Sequence, residues 1–401
     1  MSASGANGLP RLAEGGVYQK LGVVPILNAR SNSTAFGGSS PSAVVRAAMD
    51  EAGRGWTDMA DLMSKTGDYI AALLGCETAH PTSGCAAAII LSSAIAMTRD
   101  DGDKMARLPN TTGRNDQVLI QRQHRYWVQP CFTFAGGRLV PVGRDDGCTA
   151  EELEAAIGED TVAIAHPFSQ PAGYLFPPRT GDLPLEDVVA IGRRHDVPVI
   201  VDAAAQIYPL EHFRWIAQAA DMVCFGGKYF GSSHSTGMVT GRRKYIDPLR
   251  KLDFSGSIAN DEVPVGSGYA FGRGMKLDRQ QVVALAVALD VWFNTDHEAR
   301  LAEYHRRMGV IQEQLADIPH VSSEPVPYGN YQLVRLFITL GEEFPATAEQ
   351  IVEDLDKGSP RILVGSEGDR EVFVGPHVLS EGEERIVAGQ LRSVLLARLR
   401  G

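Results

Sequence analysis

Between about residues 81 and 241 the chain alternates short apolar, β-branched runs with stretches whose apolar residues recur at helical spacing. The runs at 118–121, 139–142, 161–166, 197–201 and 222–225 are almost wholly apolar, as strands buried on both faces of a sheet must be. Thr149 with Glu152 three residues on predicts a capping box that opens a helix over 151–157. In the next helix Leu185, Val188, Val189 and Gly192 share one side, the side that should pack on the sheet. The pattern predicts an α/β fold in which a mostly parallel sheet lies between helices. A long apolar-periodic helix over 277–293 leads out of this region. Beyond it, from about 295 to 401, the texture reads helix, strand, helix, strand, strand, helix, which predicts a smaller C-terminal α/β domain. The expected division is an N-terminal segment (1–30) joined to the small domain, a large domain (31–295) and the small domain (296–401). No internal repeat or low-complexity tract interrupts it.

Composition narrows the class. The chain has 401 residues, 44% apolar and 22% charged, which suits a folded protein of more than one domain. Its longest apolar run, 85–97, contains serines and is shorter than the roughly 20 residues that cross a bilayer, so no membrane span is expected. The first fifteen residues are polar and rich in Gly and Ala, without the apolar core of a signal peptide, and read as a loose tail of a cytoplasmic protein. Cys76, Cys85, Cys131, Cys148 and Cys224 are odd in number and widely spaced, which supports neither a disulfide framework nor a metal site. The formal net charge of −11 argues against nucleic acid as a partner.

Three groups stand where strands of such a sheet end. Thr82-Ser83-Gly84-Cys85-Ala86-Ala87 opens an apolar helix with small residues, a setting whose free amides and helix dipole favour a phosphate; a tight packing loop would look the same. Asp202 follows the strand at 197–201, where ligands of open α/β sheets bind, although a helix N-cap is an equally adequate task for it. Lys228 follows Gly226-Gly227, two glycines that would let the chain turn and present an amine at the same edge; a solvated loop lysine is the plainer alternative. A phosphate cradle, an acid and a lysine together supply what pyridoxal phosphate needs.

In order and spacing these groups, with His124 and the run Val201-Asp202-Ala203-Ala204-Ala205-Gln206, resemble fold-type I pyridoxal-phosphate enzymes. The stretches 18–28, Gly37-Gly38, Leu73-Leu74-Gly75 and Gly272-Arg273-Gly274-Met275-Lys276 are similar to the selenocysteine synthase-like branch, which includes seryl-tRNA selenium transferases and D-glucosaminate-6-phosphate ammonia-lyases. The resemblance spans about residues 18–295 and is weaker beyond. It implies pyridoxal 5'-phosphate as cofactor. Lys228 would hold it as a Schiff base, Asp202 would bond the pyridine nitrogen, His124 would stack on the ring and Gln206 would approach its phenolic oxygen. Ser83, Gly84 and Cys85 would take the phosphate. Arg273 and Lys276, three apart and so on one face of a helical turn, would grip an acidic group of the substrate, with Arg30 sharing the task. Without the resemblance, His124 in its polar stretch reads as an exposed histidine, and no second histidine at metal spacing supports a metal role.

The chain departs from the branch at Phe225, where a serine is usual, at Ser232-Ser233-His234, where Gly-Pro-Gln is usual, and at Asn28-Ala29-Arg30-Ser31-Asn32, which adds a cation. The function implied is an amino-acid lyase that eliminates water and ammonia from a hydroxylated or sugar-derived substrate. Alternatives are an epimerase, aldolase, decarboxylase or oxygen-using enzyme on a related amino acid, a selenium transferase acting on seryl-tRNA, and a non-catalytic binding module. The branch also implies a homo-oligomer, at least a dimer, with the loop 232–236 reaching the neighbouring cofactor.

Overall fold

The computed structural model describes residues 12, 15–168, 181–256, 271–328 and 333–400. Most of the polar first fifteen residues lie outside this set. The chain divides into two compact units: residues 37–295 with 329–332, and residues 1–36 with 296–328 and 333–401.

The strands run in chain order β1 (Ile26–Asn28), β2 (Thr78–Thr82), β3 (Gln117–Gln121), β4 (Arg138–Val142), β5 (Thr161–Pro167), β6 (Val199–Asp202), β7 (Met222–Gly226), β8 (Gly237–Gly241), β9 (Val321–Tyr328), β10 (Leu333–Leu340), β11 (Arg361–Leu363), β12 (Gly365–Glu367) and β13 (Glu371–Val374). β2 to β8 form one seven-stranded sheet in the larger unit, ordered β2-β8-β7-β6-β5-β3-β4. Strands β4, β3, β5, β6 and β7 are mutually parallel, and β8 alone runs against its two neighbours. β2 is therefore parallel to β7, and the carboxyl ends of β2, β3, β5, β6 and β7 share one edge of the sheet. Every residue of β5, β6 and β7 is buried, which accounts for their nearly unbroken apolar sequences.

Helices cover both faces. The capping box forms as read, with Glu152 N–H donating to Thr149 Oγ1 and Thr149 N–H to Glu152 Oε2, and the helix runs Ala150–Ala156. Helix Leu185–Arg194 buries Leu185, Val188, Val189 and Gly192. A Cβ on Gly192 would stand 2.5 Å from the Val197 carbonyl oxygen, so only glycine lets this helix sit so close to the strand that follows it. Helix Cys85–Thr98 is buried on nearly all sides, lying under the sheet with Tyr245, Ile246 and Leu249 packed in the same core. This explains an apolar run with no amphipathic stripe and no need of a bilayer; among the described residues no helix is long and apolar enough to cross a membrane.

In the smaller unit β1 pairs in parallel with β11, and a four-stranded antiparallel sheet is ordered β12-β13-β10-β9. The helix at 297–315 is followed by two strands where the sequence pattern shows one, and the second pair resolves into three short strands. β9 carries Pro325 and Pro327, which break the alternation that marks a strand. Its edge position tolerates them because an edge strand pairs on one side only.

Phe225 is fully buried on β7 with its ring 5.1 Å from that of Phe213, in the core on the face covered by helix Leu185–Arg194. Its side chain is committed to that aromatic core. Phe225→Ser should therefore lower stability by about 3 kcal/mol or more, since it removes a buried ring and leaves an unpaired hydroxyl. The check is a fall in the urea midpoint at unchanged slope.

Candidate active site

The sheet edge gathers four of the segments singled out by sequence. β2 ends at Thr82, and Ser83 and Gly84 lead into helix Cys85–Thr98. Gly84 is its N-cap at φ 99°, a backbone state that favours glycine, and no side chain caps this end. The first amides of the helix thus have no intrahelical acceptor and face the edge with the positive end of the helix dipole. Thr82 Oγ1 donates to the Gly84 carbonyl at 3.0 Å and closes the turn. On β8, Gly237 comes so near that a Cβ there would lie 2.5 Å from Gly84 C, so the loop is seated on bare backbone.

Asp202 ends β6 and is buried. Its Oδ2 accepts from the Tyr126 hydroxyl at 2.5 Å, and its Oδ1 from the Ala204 N–H at 3.1 Å and the Cys85 thiol at 3.3 Å. Burial raises its pKa above the ordinary carboxylate value, and the Tyr126, Ala204 and Cys85 bonds only partly offset this. The same burial, with the Asp202 charge beside them, pushes the Tyr126 hydroxyl and the Cys85 thiol far up, so both stay protonated and serve as donors. Lys228 follows β7 in a single 3-10 turn, Gly227–Phe230, with Nζ 5.0 Å from the Tyr229 ring centroid. Burial lowers its pKa, so its neutral amine is more accessible than that of a solvated lysine.

The two glycines before Lys228 are needed for contact rather than for a sharp turn. Neither has a positive φ, but a Cβ on Gly227 would stand 2.2 Å from Thr236 Oγ1, and one on Gly226 3.1 Å from the Tyr229 ring. The loop 232–236 folds back on the lysine turn, Gly227 N–H donating to the Thr236 carbonyl and Ser232 N–H to the Gly227 carbonyl. Ser39 Oγ donates to the Ser232 carbonyl.

His124 is buried beyond the end of β3 rather than exposed, with Nε2 2.8 Å from Asp182 Oδ2 and its ring edge-on to His166 at 5.0 Å. Burial and the neighbouring His124 hold His166 well below the ordinary histidine pKa. Gln206 is buried and engaged, its Oε1 3.0 Å from His212 Nε2 and its Nε2 3.5 Å from the Phe168 carbonyl oxygen. A cavity of about 280 Å³ is lined by His124, His166, Phe168, Asp182, His212 and Trp215 among others.

The expected anion-binding cations are placed differently. Arg273 opens a 3-10 turn that ends at Met275, and Lys276 is already extended, so the shared helical face implied by their spacing does not form. Both are exposed. Arg30 is also exposed and belongs to the smaller unit, just after β1. No cluster of three or more metal-ligating side chains occurs among the described residues.

Sequence reasoning missed Tyr126, Asp182 and the task of the Cys85 side chain. Tyr126 lies only two residues beyond His124, and that proximity was the available signal. Asp182 belongs to no motif.

A buried acid with three donors, a desolvated lysine and an open helix start on one sheet edge suit a group that carries a protonated ring nitrogen, an aldehyde and a phosphate. Known proteins bear on this directly. The chain is 29% identical to a 5'-C-glycyluridine monooxygenase-decarboxylase of a Streptomyces species, covering 94% of this chain and 92% of that one. It is 26% identical to D-glucosaminate-6-phosphate ammonia lyase of Salmonella typhimurium, covering 94% and 97%. An L-seryl-tRNA(Sec) selenium transferase of Nitratidesulfovibrio vulgaris is 26% identical over 71% of this chain and 65% of that one. A solved structure of D-glucosaminate-6-phosphate ammonia-lyase superposes with a TM-score of 0.80 at 24% identity, covering 96% of this chain and 99% of that one. No protein-family profile matches. The fold is that of fold-type I pyridoxal-phosphate enzymes. Within that class the chain resembles the selenocysteine synthase-like branch, and the cofactor implied is pyridoxal 5'-phosphate.

Because the folded state raises the Asp202 pKa, ionisation of this group costs stability as pH rises above the ordinary carboxylate range, and the cost is absent where the acid is protonated in both states. Cofactor-free Asp202→Asn should therefore be more stable than the wild type at pH 8 and should lose that advantage near pH 4. Urea unfolding at the two pH values measures it.

Proposed function

We propose that this chain is a pyridoxal-phosphate lyase that acts at Cα and Cβ of a hydroxylated or sugar-derived amino acid, with loss of water and ammonia. The observation that carries the reading is the pairing, on one sheet edge, of the donor-laden buried carboxylate of Asp202 with the desolvated amine of Lys228. When bound, the cofactor supplies an electron sink that weakens the bonds at the substrate Cα. Lys228 would hold it through Nζ, and its lowered pKa favours the neutral amine, the form that attacks a carbonyl and later takes a proton from Cα. Asp202, kept in place by Tyr126, Cys85 and the Ala204 amide, would accept the hydrogen bond of the ring nitrogen and hold its proton there. Ser83 and the amides of Gly84 and Cys85 would bind the phosphate, compensating for the hydroxyl that Phe225 does not provide. His124 would cover the ring face and Gln206 would stand near its oxygen substituent. Arg273, Lys276 and Arg30 would meet the acidic end of the substrate. We place these sites in a homo-oligomer, at least a dimer.

A second reading is favoured by the relative named as a monooxygenase-decarboxylase, which matches the chain over almost its whole length. Here the carboxylate is lost from Cα and dioxygen is consumed. Product analysis on candidate amino acids separates the two: ammonia with a keto product supports the lyase, whereas carbon dioxide with oxygen uptake overturns it in favour of the second.

Borohydride treatment of the protein loaded with pyridoxal phosphate should leave a covalent pyridoxyl group on Lys228, read by peptide mass spectrometry, and none in Lys228→Ala. An unmodified Lys228 in the wild type would overturn the assignment.

A further inference from the structure

We infer that Asp182 is a positioning residue for His124, its carboxylate holding the imidazole in one orientation at the sheet edge. The inference rests on the cofactor reading above and assigns a residue that no motif marked.

The contact itself is tight: His124 Nε2 and Asp182 Oδ2 are 2.8 Å apart, and the two side chains are 3% and 7% exposed. The contact is a close ion pair by distance, and none of the ring nitrogens or carboxylate oxygens of the two side chains makes a hydrogen bond with another described residue. Asp182 is not a helix cap, because helix Leu185–Arg194 begins at the N-cap Pro184 with no side-chain cap bond. A buried carboxylate costs free energy unless it is paired, and among the described residues the ion-pair contact of Asp182 is with the His124 ring.

The backbone delivers it there by a built device. Gln121, the last residue of β3 and itself buried, accepts from the Leu183 N–H through Oε1 at 2.8 Å and donates to the Leu183 carbonyl through Nε2 at 3.3 Å. On the other side of Asp182, Gly181 has φ 87°, its carbonyl accepts from Cys148 N–H at 3.0 Å, and a Cβ on it would stand 2.3 Å from the Asp146 carbonyl oxygen. Asp182 is thus clamped between two fixed residues. One of them is tied to the same strand end from which His124 emerges three residues later. The edge-on ring of His166, at an interplanar angle of 87°, limits rotation from another direction. A carboxylate on one ring nitrogen selects the tautomer with a proton there and fixes the ring plane, as carboxylates behind functional histidines do.

The test begins with the cofactor-free wild type. In ¹⁵N-histidine spectra the Nε2 proton of His124, assigned by its loss in His124→Gln, should exchange slowly with solvent. Asp182→Asn should speed that exchange by at least about tenfold, and Asp182→Glu should restore part of the protection. With pyridoxal phosphate bound, Asp182→Asn should weaken the visible circular dichroism of the cofactor. It should also lower kcat on the order of tenfold with KM nearly unchanged. A rapidly exchanging ring proton in the wild type overturns the inference, and that measurement decides the matter even if Asp182→Asn does not fold. Unchanged exchange and dichroism in a folded Asp182→Asn protein also overturns it. Failure of the wild type to bind pyridoxal phosphate would sink the cofactor reading instead, a separate outcome from loss of the Asp182 to His124 hold.

Discussion

The site depends on a buried carboxylate. Asp202 sits at the end of a strand enclosed on both faces, where a carboxylate would sooner be neutral, and the chain surrounds it with donors from three different segments: a tyrosine beyond β3, a thiol at the start of a helix, and an amide just past its own strand. Each bond to a charged acceptor is worth on the order of 1.5 to 3 kcal/mol, and together they still leave the pKa raised. Such a carboxylate, beside a lysine whose charge burial also disfavours, suits a ligand that would bring a protonated nitrogen and take up an amine.

Close backbone packing is what allows these donors to converge. Gly237 on the antiparallel strand β8 presses against Gly84, and Gly227 presses against Thr236, in both cases at distances a side chain would forbid. The helix start, the lysine turn and the returning loop are therefore stacked without intervening side chains. Cys85 can then reach from the helix to Asp202 and to the Cys224 carbonyl at 3.4 Å. The position of Phe225 belongs to the same geometry. On β7 its ring faces the aromatic core with Phe213 and Phe230. A hydroxyl at this position would lie in the same core.

Local pattern determined a good deal. Short apolar runs marked β3, β5, β6 and β7 because strands covered on both faces must be apolar throughout, whereas the run of β4 belongs to an edge strand that is only partly buried. Thr149 and Glu152 specified their own cap, since both partners lie within one turn. Asp202 and Lys228 were legible because they stand at the end of such runs, and Ser83 because small residues there open an apolar helix; a parallel sheet brings strand ends to one edge. In the smaller unit the prolines of β9 hid a strand that only edge pairing makes tolerable.

What the sequence could not show are relations between segments far apart in the chain. The hydroxyl of Tyr126 and the thiol of Cys85 reach Asp202 across 76 and 117 residues, and Gln121 grips Leu183 across 62. None of these pairs carries a local signature, because the distance between two such groups is set by strand order and by how closely glycines let the backbones approach. The burial of His124, the separation of Arg273 from a shared face with Lys276 and the clamp around Asp182 were decided in the same way, by tertiary packing.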